Sequence, residues 1–493
     1  MTNKSACNCK IDRLIYHDDE FIFITGTQKQ SNTAAKKSYI TYDIRVGDVE
    51  TKHRYSEFES LRKSLVKLHP NVIVPPIPEK HSLVDYAALQ TRLRDDLFMI
   101  EKRKRMLQTF LNRVAKHPDL GRDHVFHRFL ESGVQWNDVL HSPPLSLLPS
   151  NPLQMAVSKD SDASAPGNAA ILNSSLIPTP TAAYTLKNPD PQFEQSEQFT
   201  YRIANYMSNN LEKSQRKVIR RLGELANDYA ELGAVYNGFS LNESGAVANA
   251  IEKIGQAVDA SYTETGQMVK TLESEFAEPI QEHSQFAQTI KQVLRFRHMK
   301  HAQVELIENS LKNKKERLET LLEMESEARR LEEAITRERT IGSNAVDIDE
   351  INGGNSETGS GEATEENPYA VHHTEPRLHK SRSRNWNGPM QVINAVGHTI
   401  QGIIDVDPEA TRRNQIGKTK DAMGVLEEAL EITRKDLAGA SVELQADLDR
   451  FQREKIKDLR NMLIAYAKVH IRYCQQNLES WKEARLEVDK ISN

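Results

Sequence analysis

The segment His53-Arg54-Tyr55-Ser56-Glu57-Phe58 sets a guanidinium beside an aromatic ring. A guanidinium can hold a phosphate through a bidentate fork, and the neighbouring ring can offer a flat face to a sugar-like ring. The same residues also fit an ordinary surface ion pair at Arg54 and a core tyrosine at Tyr55. Other chemistry is thin. Cys7-x-Cys9 could take a metal ion with His17, but no second pair closes a tetrahedral site, so no metal is expected. Gly417-Lys418-Thr419 ends like a nucleotide-binding loop, yet Arg412 stands where that loop needs its first glycine, and no strand precedes it. There is no H-E-x-x-H, no G-x-S-x-G and no carboxylate pair that stands out from helix-surface acids. Neither catalysis nor a cofactor is expected.

The elements that must position Arg54 and Tyr55 follow from periodicity. Residues 11–46 read as strands: Phe21 to Ile24 is an apolar run, and Ile40, Tyr42, Ile44 and Val46 alternate onto one face. Gly47-Asp48 supplies a hairpin turn into Val49–Arg54. From Ser56 to Leu68 the period becomes helical, with Phe58, Leu61, Leu65 and Leu68 on one stripe. A proline-rich loop, Pro75-Pro76-Ile77-Pro78, leads to helices at about 100–116 and 121–132. This is a small α+β domain ending near Gly133.

Residues 134–191 are rich in Pro, Ser, Ala and Asn and read as a flexible linker. Three long helices follow. The first begins at 192 and ends at Asn237-Gly238, the second covers about 244–339 with a kink at Pro279, and the third covers about 412–490. At 1.5 Å per residue each is on the order of 70–140 Å long. Such helices must pack side by side, with a partner chain completing the bundle. Residues 341–388 read as a disordered insert, acidic first and then basic at Arg377, Lys380, Arg382 and Arg384.

Composition narrows the classes. Of 493 residues 38% are hydrophobic and 27% charged, which suits long exposed helices better than one compact globule. The net charge of -5 implies no global attraction to nucleic acid or anionic lipid. Three cysteines make no disulfide framework, so a reducing, cytosolic setting is expected. The polar start is no secretory signal, and no apolar run is long enough to span a bilayer.

The order of strands, R-Y-S-E-F opening a helix, P-P-I-P-E-K and R-K-R-M-L-Q-T-F-L resembles the phox-homology (PX) domain over residues 11–133. That resemblance implies a phosphatidylinositol 3-phosphate site. Arg54 would take the 3-phosphate, Tyr55 would stack on the inositol ring, Lys80 would contact the 1-phosphate, and Arg103 would hold inositol hydroxyls. His53 departs from the second basic residue common in that family.

Residues 192–340 and 408–493 resemble the BAR domain of sorting nexins through E-L-G-A-V-Y-N-G-F, A-N-A-I-E-K-I-G-Q-A-V and F-Q-R-E-K-I-K-D-L-R. Together the two resemblances imply a multidomain sorting nexin: an α+β PX domain followed by an elongated all-α three-helix BAR domain forming a curved dimer. The linker phrase H-S-P-P near 141–144 and the stretch A-E-P-I-Q-E-H-S-Q-F-A near 277–287 resemble the fungal subgroup tied to endosome-to-Golgi recycling and selective autophagy. The implied partners are phosphatidylinositol 3-phosphate membranes, another PX–BAR sorting nexin or a second copy, and recycled cargo proteins, with no nucleic acid. The implied location is cytoplasmic, peripheral on endosomes and the pre-autophagosomal structure.

Basic clusters fit membrane contact: Lys213, Arg216, Lys217, Arg220 and Arg221; Lys291, Arg295, Arg297 and Lys300; Arg450, Arg453, Lys455, Lys457 and Arg460. Each cation near an anionic surface contributes about 1 kcal/mol. Residues 389–406 add a further element. Val392, Val396, Ile400 and Ile403 form an apolar helical stripe behind the basic run and Trp386, the pattern of a membrane-surface helix.

Overall fold

The computed structural model describes residues 7, 9–16, 18–32, 37–79, 92–156, 170–343 and 408–491. Lys80, Trp386 and the whole 389–406 segment lie outside them. The chain divides into two compact units, Met1–Asn309 with Leu426–Asn493, and Ser310–Val425.

The first unit opens with helix α1 (Lys10–Tyr16), not a strand. Ile11, Leu14 and Ile15 recur at helical spacing, and Ile11 and Ile15 are buried in the core. Strands β1 (Phe23–Asn32), β2 (Lys37–Val46) and β3 (Val49–Arg54) form an antiparallel sheet in that order. Val46 pairs with Val49 across the tight turn. Gly47 there has φ +56°, and an added Cβ would lie 2.9 Å from Leu14 Cδ2, so the turn needs glycine.

Helices α2 (Tyr55–Leu68), α3 (Arg92–Lys116) and α4 (His124–Leu130) cover the sheet. The alternating strand positions Tyr42 and Ile44 meet Phe58, Leu61, Leu107, Phe110, Phe126 and Phe129 in one buried cluster. Helix α3 also holds β1 by its polar side chains. Asn112 Oδ1 accepts from Ile22 N–H at 3.0 Å, and Gln108 Oε1 accepts from Ile24 N–H at 2.8 Å.

The stretch expected to be a linker differs from that expectation in its described residues. It carries helix α5 (Trp136–Leu140) and short turns at Leu145–Leu147 and Pro152–Gln154. Trp136, Val139, Leu153, Leu172 and Ile177 are buried. A few well-spaced apolar residues suffice to anchor a stretch whose composition alone suggests coil.

The long helices follow. Helix α6 (Pro191–Tyr206) is capped by Asp190, whose carboxylate accepts from Gln192 N–H. A π-helical turn (Met207–Glu212) joins it to α7 (Lys213–Ser240), and α8 (Gly245–Leu272) runs back against α7. Gly233 faces Asp259 and Gly255 faces Asn237, each with the partner's side-chain oxygen lying where a Cβ would stand. A second π-helical turn (Glu273–Ala277) joins α8 to α9 (Glu278–Ser343) with no break in helical backbone, and this irregular turn just ahead of Pro279 accommodates a proline inside the helical run. Helix α10 (Pro408–Val488) completes the set. Within the second unit, Glu325 on α9 pairs with Arg412 and Arg413 on α10. Among the described residues no helix is long and apolar enough to cross a membrane.

The α+β domain is tied to the long helices inside the first unit by charged groups. Arg113 forks onto Glu282 at 2.6 and 2.8 Å and reaches Asp458 at 2.8 Å. Arg105 pairs with Glu278, and Lys102 with Glu273. Asp447 accepts from Ile73 N–H at 2.7 Å and meets His117 at 3.0 Å.

His283 sits among these groups, buried, with neither ring nitrogen hydrogen-bonded; Asp458 Oδ2 is 3.8 Å from Nε2. Burial, with help from the Arg113 charge, pushes its pKa down to about 4. The unfolded chain therefore takes up this proton near its ordinary value of 6.5, while the folded chain resists until about pH 4. Stability contributed by neutral His283 is complete above pH 6.5 and is lost as pH falls toward 4, on the order of 3 kcal/mol in all. Glu278 and Glu282, both raised by burial, titrate in the opposite sense, so the measurement is a difference. His283→Leu should melt at or above wild type at pH 7 and gain on it by several degrees near pH 4.5. Parallel melting curves at the two pH values would remove His283 as the source.

Candidate functional site

The strand-to-helix junction between β3 and α2 builds the site. Arg54 ends β3 and caps α2, with extended backbone (φ -90°, ψ 159°). Its N–H donates to Glu57 Oε2 at 3.1 Å, which fixes the entry angle of the chain. Its guanidinium points outward, 55% exposed, with Glu57 Oε1 3.5 Å from Nε. A cation so placed has donors left over for an incoming anion.

Tyr55 follows in the first turn of α2. Its hydroxyl donates to the Pro78 carbonyl at 2.5 Å, and the Arg103 guanidinium lies over its ring, 5.0 Å from the centroid. Burial pushes the Tyr55 hydroxyl up to about 12, against the opposing charge of Arg103, so the ring stays neutral. Arg103 also faces Tyr42, whose hydroxyl is pushed up by burial and held back by the same charge. Thus Arg103 meets Tyr55, which adjoins Arg54 in the chain. Tyr55 has one face already occupied by Arg103. Lys80 lies outside the described residues, directly after the Pro75–Glu79 segment.

The supporting residues were not visible as such in the sequence. His53 is buried and stacks on Phe129, ring centroids 3.9 Å apart and 14° from parallel. Its Nε2 donates to the Phe129 carbonyl at 2.7 Å, and Nδ1 meets Glu57 Oε2 at 2.9 Å. So the histidine standing where a second basic residue is common faces inward and aims Glu57, which in turn holds the Arg54 backbone. Burial would raise the Glu57 carboxyl, but hydrogen bonds from His53 and Arg54 outweigh it and hold it below the usual range. The signal was the i, i+4 spacing of His53 and Glu57 across the junction. Arg62 steadies the proline-rich loop by donating from Nε to the Pro75 carbonyl at 2.8 Å.

Several helical cations expected to meet a membrane are engaged internally. Arg297 is buried, pairs with Asp190 at 2.8 Å and packs over Phe193. Lys300 is buried against Asp436 and donates to the Met155 carbonyl at 2.8 Å. Arg450 is held by Asp447 and Glu454. Arg297 and Lys300 are thereby drawn into the packing between segments, whereas Arg450 is paired along its own helix. Lys213, Lys217, Arg220 and Arg221 stay exposed along α7.

The PX domain family model matches residues 45–133. Sorting nexin-41 of Cryptococcus neoformans var. neoformans is 42% identical over 497 residues, covering 99% of this chain and 74% of its own length. The chain belongs to the sorting nexins. Sorting nexin-41 of Emericella nidulans is 38% identical over 542 residues, covering 99% of this chain and 87% of the relative. Autophagy-related protein 20 of Gibberella zeae is 33% identical over 541 residues, covering 98% and 86%. The fold of a solved sorting nexin with long helices, the SNX-BAR Mvp1 tetramer, superposes with TM-score 0.52 at 12% identity, over 94% of this chain and 99% of that one. The architecture is therefore a PX domain followed by long helices that match the fold of the SNX-BAR Mvp1 structure, and this sorting nexin is a non-enzymatic, membrane-binding protein.

Proposed function

We propose that this sorting nexin reads phosphatidylinositol 3-phosphate on endosomal membranes and supports membrane curvature during endosome-to-Golgi recycling and selective autophagy. The single observation that carries the lipid reading is the outward guanidinium of Arg54 beside Tyr55 and Arg103. In this reading Arg54 takes the 3-phosphate, Arg103 the inositol hydroxyls, and Lys80 the 1-phosphate. The relatives named Sorting nexin-41 and Autophagy-related protein 20 support the pathway. Self-association, or pairing with another PX–BAR sorting nexin, is supported by apolar side chains exposed along the helices: Leu225, Leu232 and Phe239 on α7, and Leu463, Ile471 and Leu478 on α10. From its sequence, the 389–406 segment lies on the bilayer surface through Val392, Val396, Ile400 and Ile403, with Trp386 at the interface.

Liposome flotation tests the proposal. Wild type should float with vesicles containing phosphatidylinositol 3-phosphate and not with vesicles lacking it. Arg54→Ala should weaken binding about 10–100-fold, the loss expected for a charge-assisted hydrogen bond. Its melting temperature should hold, since the side chain is exposed. A scaffold that joins proteins without reading lipid would show no dependence on either the lipid or Arg54.

A further inference from the structure

Cys7-x-Cys9 does have a second pair. His124 and His127, 117 and 118 residues further on, face it from α4. The sequence reading that no pair closes this site is thereby corrected; His17 lies outside the described residues. The reason lies in the fold. Ile11 and Ile15 sink α1 into the same cluster as Val125, Phe126 and Phe129, which lays the start of the chain along one side of α4. Two histidines at i, i+3 then project from that helix toward both sulfurs.

The four ligand atoms lie within 4.8 Å of one another. Cys7 Sγ is 3.1 Å from His124 Nδ1, and Cys9 Sγ is 3.4 Å from His127 Nδ1. A tetrahedral zinc ion with Zn–S of about 2.3 Å and Zn–N of about 2.0 Å requires ligand–ligand edges of about 3.3–3.8 Å. The two measured edges are thus close to the required size before any metal draws the groups together. The tautomer is also set. His127 Nε2 lies 2.7 Å from the Gly121 carbonyl. A carbonyl can only accept, so Nε2 carries the proton and Nδ1 turns a bare lone pair toward the sulfurs. A backbone carbonyl in this position is the usual support for a metal-bound imidazole. On the sulfur side, the Asp12 N–H donates to Cys9 Sγ at 3.4 Å, a contact that opposes the upward push burial gives this thiol. His127 is buried, the cysteines half-buried and His124 exposed, which leaves an entry path from solvent.

We propose that Cys7, Cys9, His124 and His127 bind one zinc ion. Two thiolates and two imidazoles form a closed set suited to that ion, and four protein ligands leave no open position for catalysis. The ion is structural. It joins the start of the chain to the end of the PX fold and locks α1 against α4, with Lys10–Asp48 at 2.6 Å holding the other side of α1. The phosphoinositide reading of the Arg54 site does not enter this inference.

The test uses the full chain, purified under reducing conditions, reconstituted with zinc and desalted. Wild type should hold one zinc per chain. A thiol reagent should then react rapidly with one cysteine, the exposed Cys474, and with three after a strong chelator removes the metal. Cobalt in place of zinc should give the visible bands of a tetrahedral thiolate site. His124→Ala replaces an exposed ligand, so it should stay folded, float with phosphoinositide vesicles as wild type does, and lose its metal to the chelator at a lower concentration. Three reactive thiols in the presence of zinc, or a sub-stoichiometric zinc content after reconstitution, would overturn the proposal. So would a Cys7–Cys9 disulfide, seen as two thiols that resist the reagent until reduced rather than until chelated.

Discussion

Replacing Arg113 by alanine should cost about 3–5 kcal/mol, the range for removing one partner from a buried ion pair. The effect should appear as early separation of the PX domain from the long helices. Arg113 grips α9 and α10 together, through Glu282 and Asp458, and its guanidinium also packs over Phe286. Without it, Glu282 is left buried. Its carboxyl is already raised by burial with Arg113 present. In the variant it rises further, so the deficit has a predictable sign. A carboxyl whose folded pKa exceeds its unfolded one contributes stability at low pH and loses it as pH rises through the folded value. Arg113→Ala should therefore be hurt more at pH 7 than at pH 5. Arg113→Lys, which keeps the charge and loses the fork, should fall between. Thermal melts with limited proteolysis of the PX–helix junction would show this, and headgroup binding through Arg54 should survive. Unchanged melting at pH 7 would mean that the junction rests on other contacts.

What the sequence made legible, and what it hid, follows from the distance over which each feature is decided. Arg54 and Tyr55 adjoin in the chain, and the switch from strand to helix period locates them. Arg103 is legible because a helix carries it a fixed step from Leu107. These are local facts. By contrast, Arg113 gains its role from Glu282 and Asp458, 169 and 345 residues away. No periodicity reports such a pairing.

The cations of α9 and α10 failed in an instructive way. A helix rich in Lys and Arg reads as a solvated face, and for Arg295 or Arg453 nothing local says otherwise. Arg297 and Lys300 differ only because Asp190 and Asp436 arrive from other segments. The same holds for α1. Ile11, Leu14 and Ile15 are too few to outweigh the strand pattern that follows, yet burial in a preformed cluster makes the helix. Cysteine and histidine pairs far apart in sequence are the extreme case, each unremarkable until the fold brings them within bonding distance.

Lys300 and Asp436 offer the second large effect, and one with a built-in control. Both are almost wholly buried, at 5% and 2% side-chain exposure. Burial pulls the Lys300 ammonium below its usual value even with Asp436 against it. Asp436→Ala leaves that ammonium with the Met155 carbonyl at 2.8 Å and no charge to balance it, so it should cost about 3–5 kcal/mol. Replacing both by apolar residues of similar volume, Lys300→Met with Asp436→Leu, should recover most or all of the loss, because the desolvation of both charges disappears together. The Met155 carbonyl would still lose its donor, so protease sensitivity near residue 155 should rise in the double variant even where the melting temperature recovers. Those two readouts separate the ion pair's effect on helix packing from its effect on the turn it anchors. If the single variant melts like wild type, the lysine escapes to water when unpaired, and the basic stretch of α9 becomes available to a membrane after all.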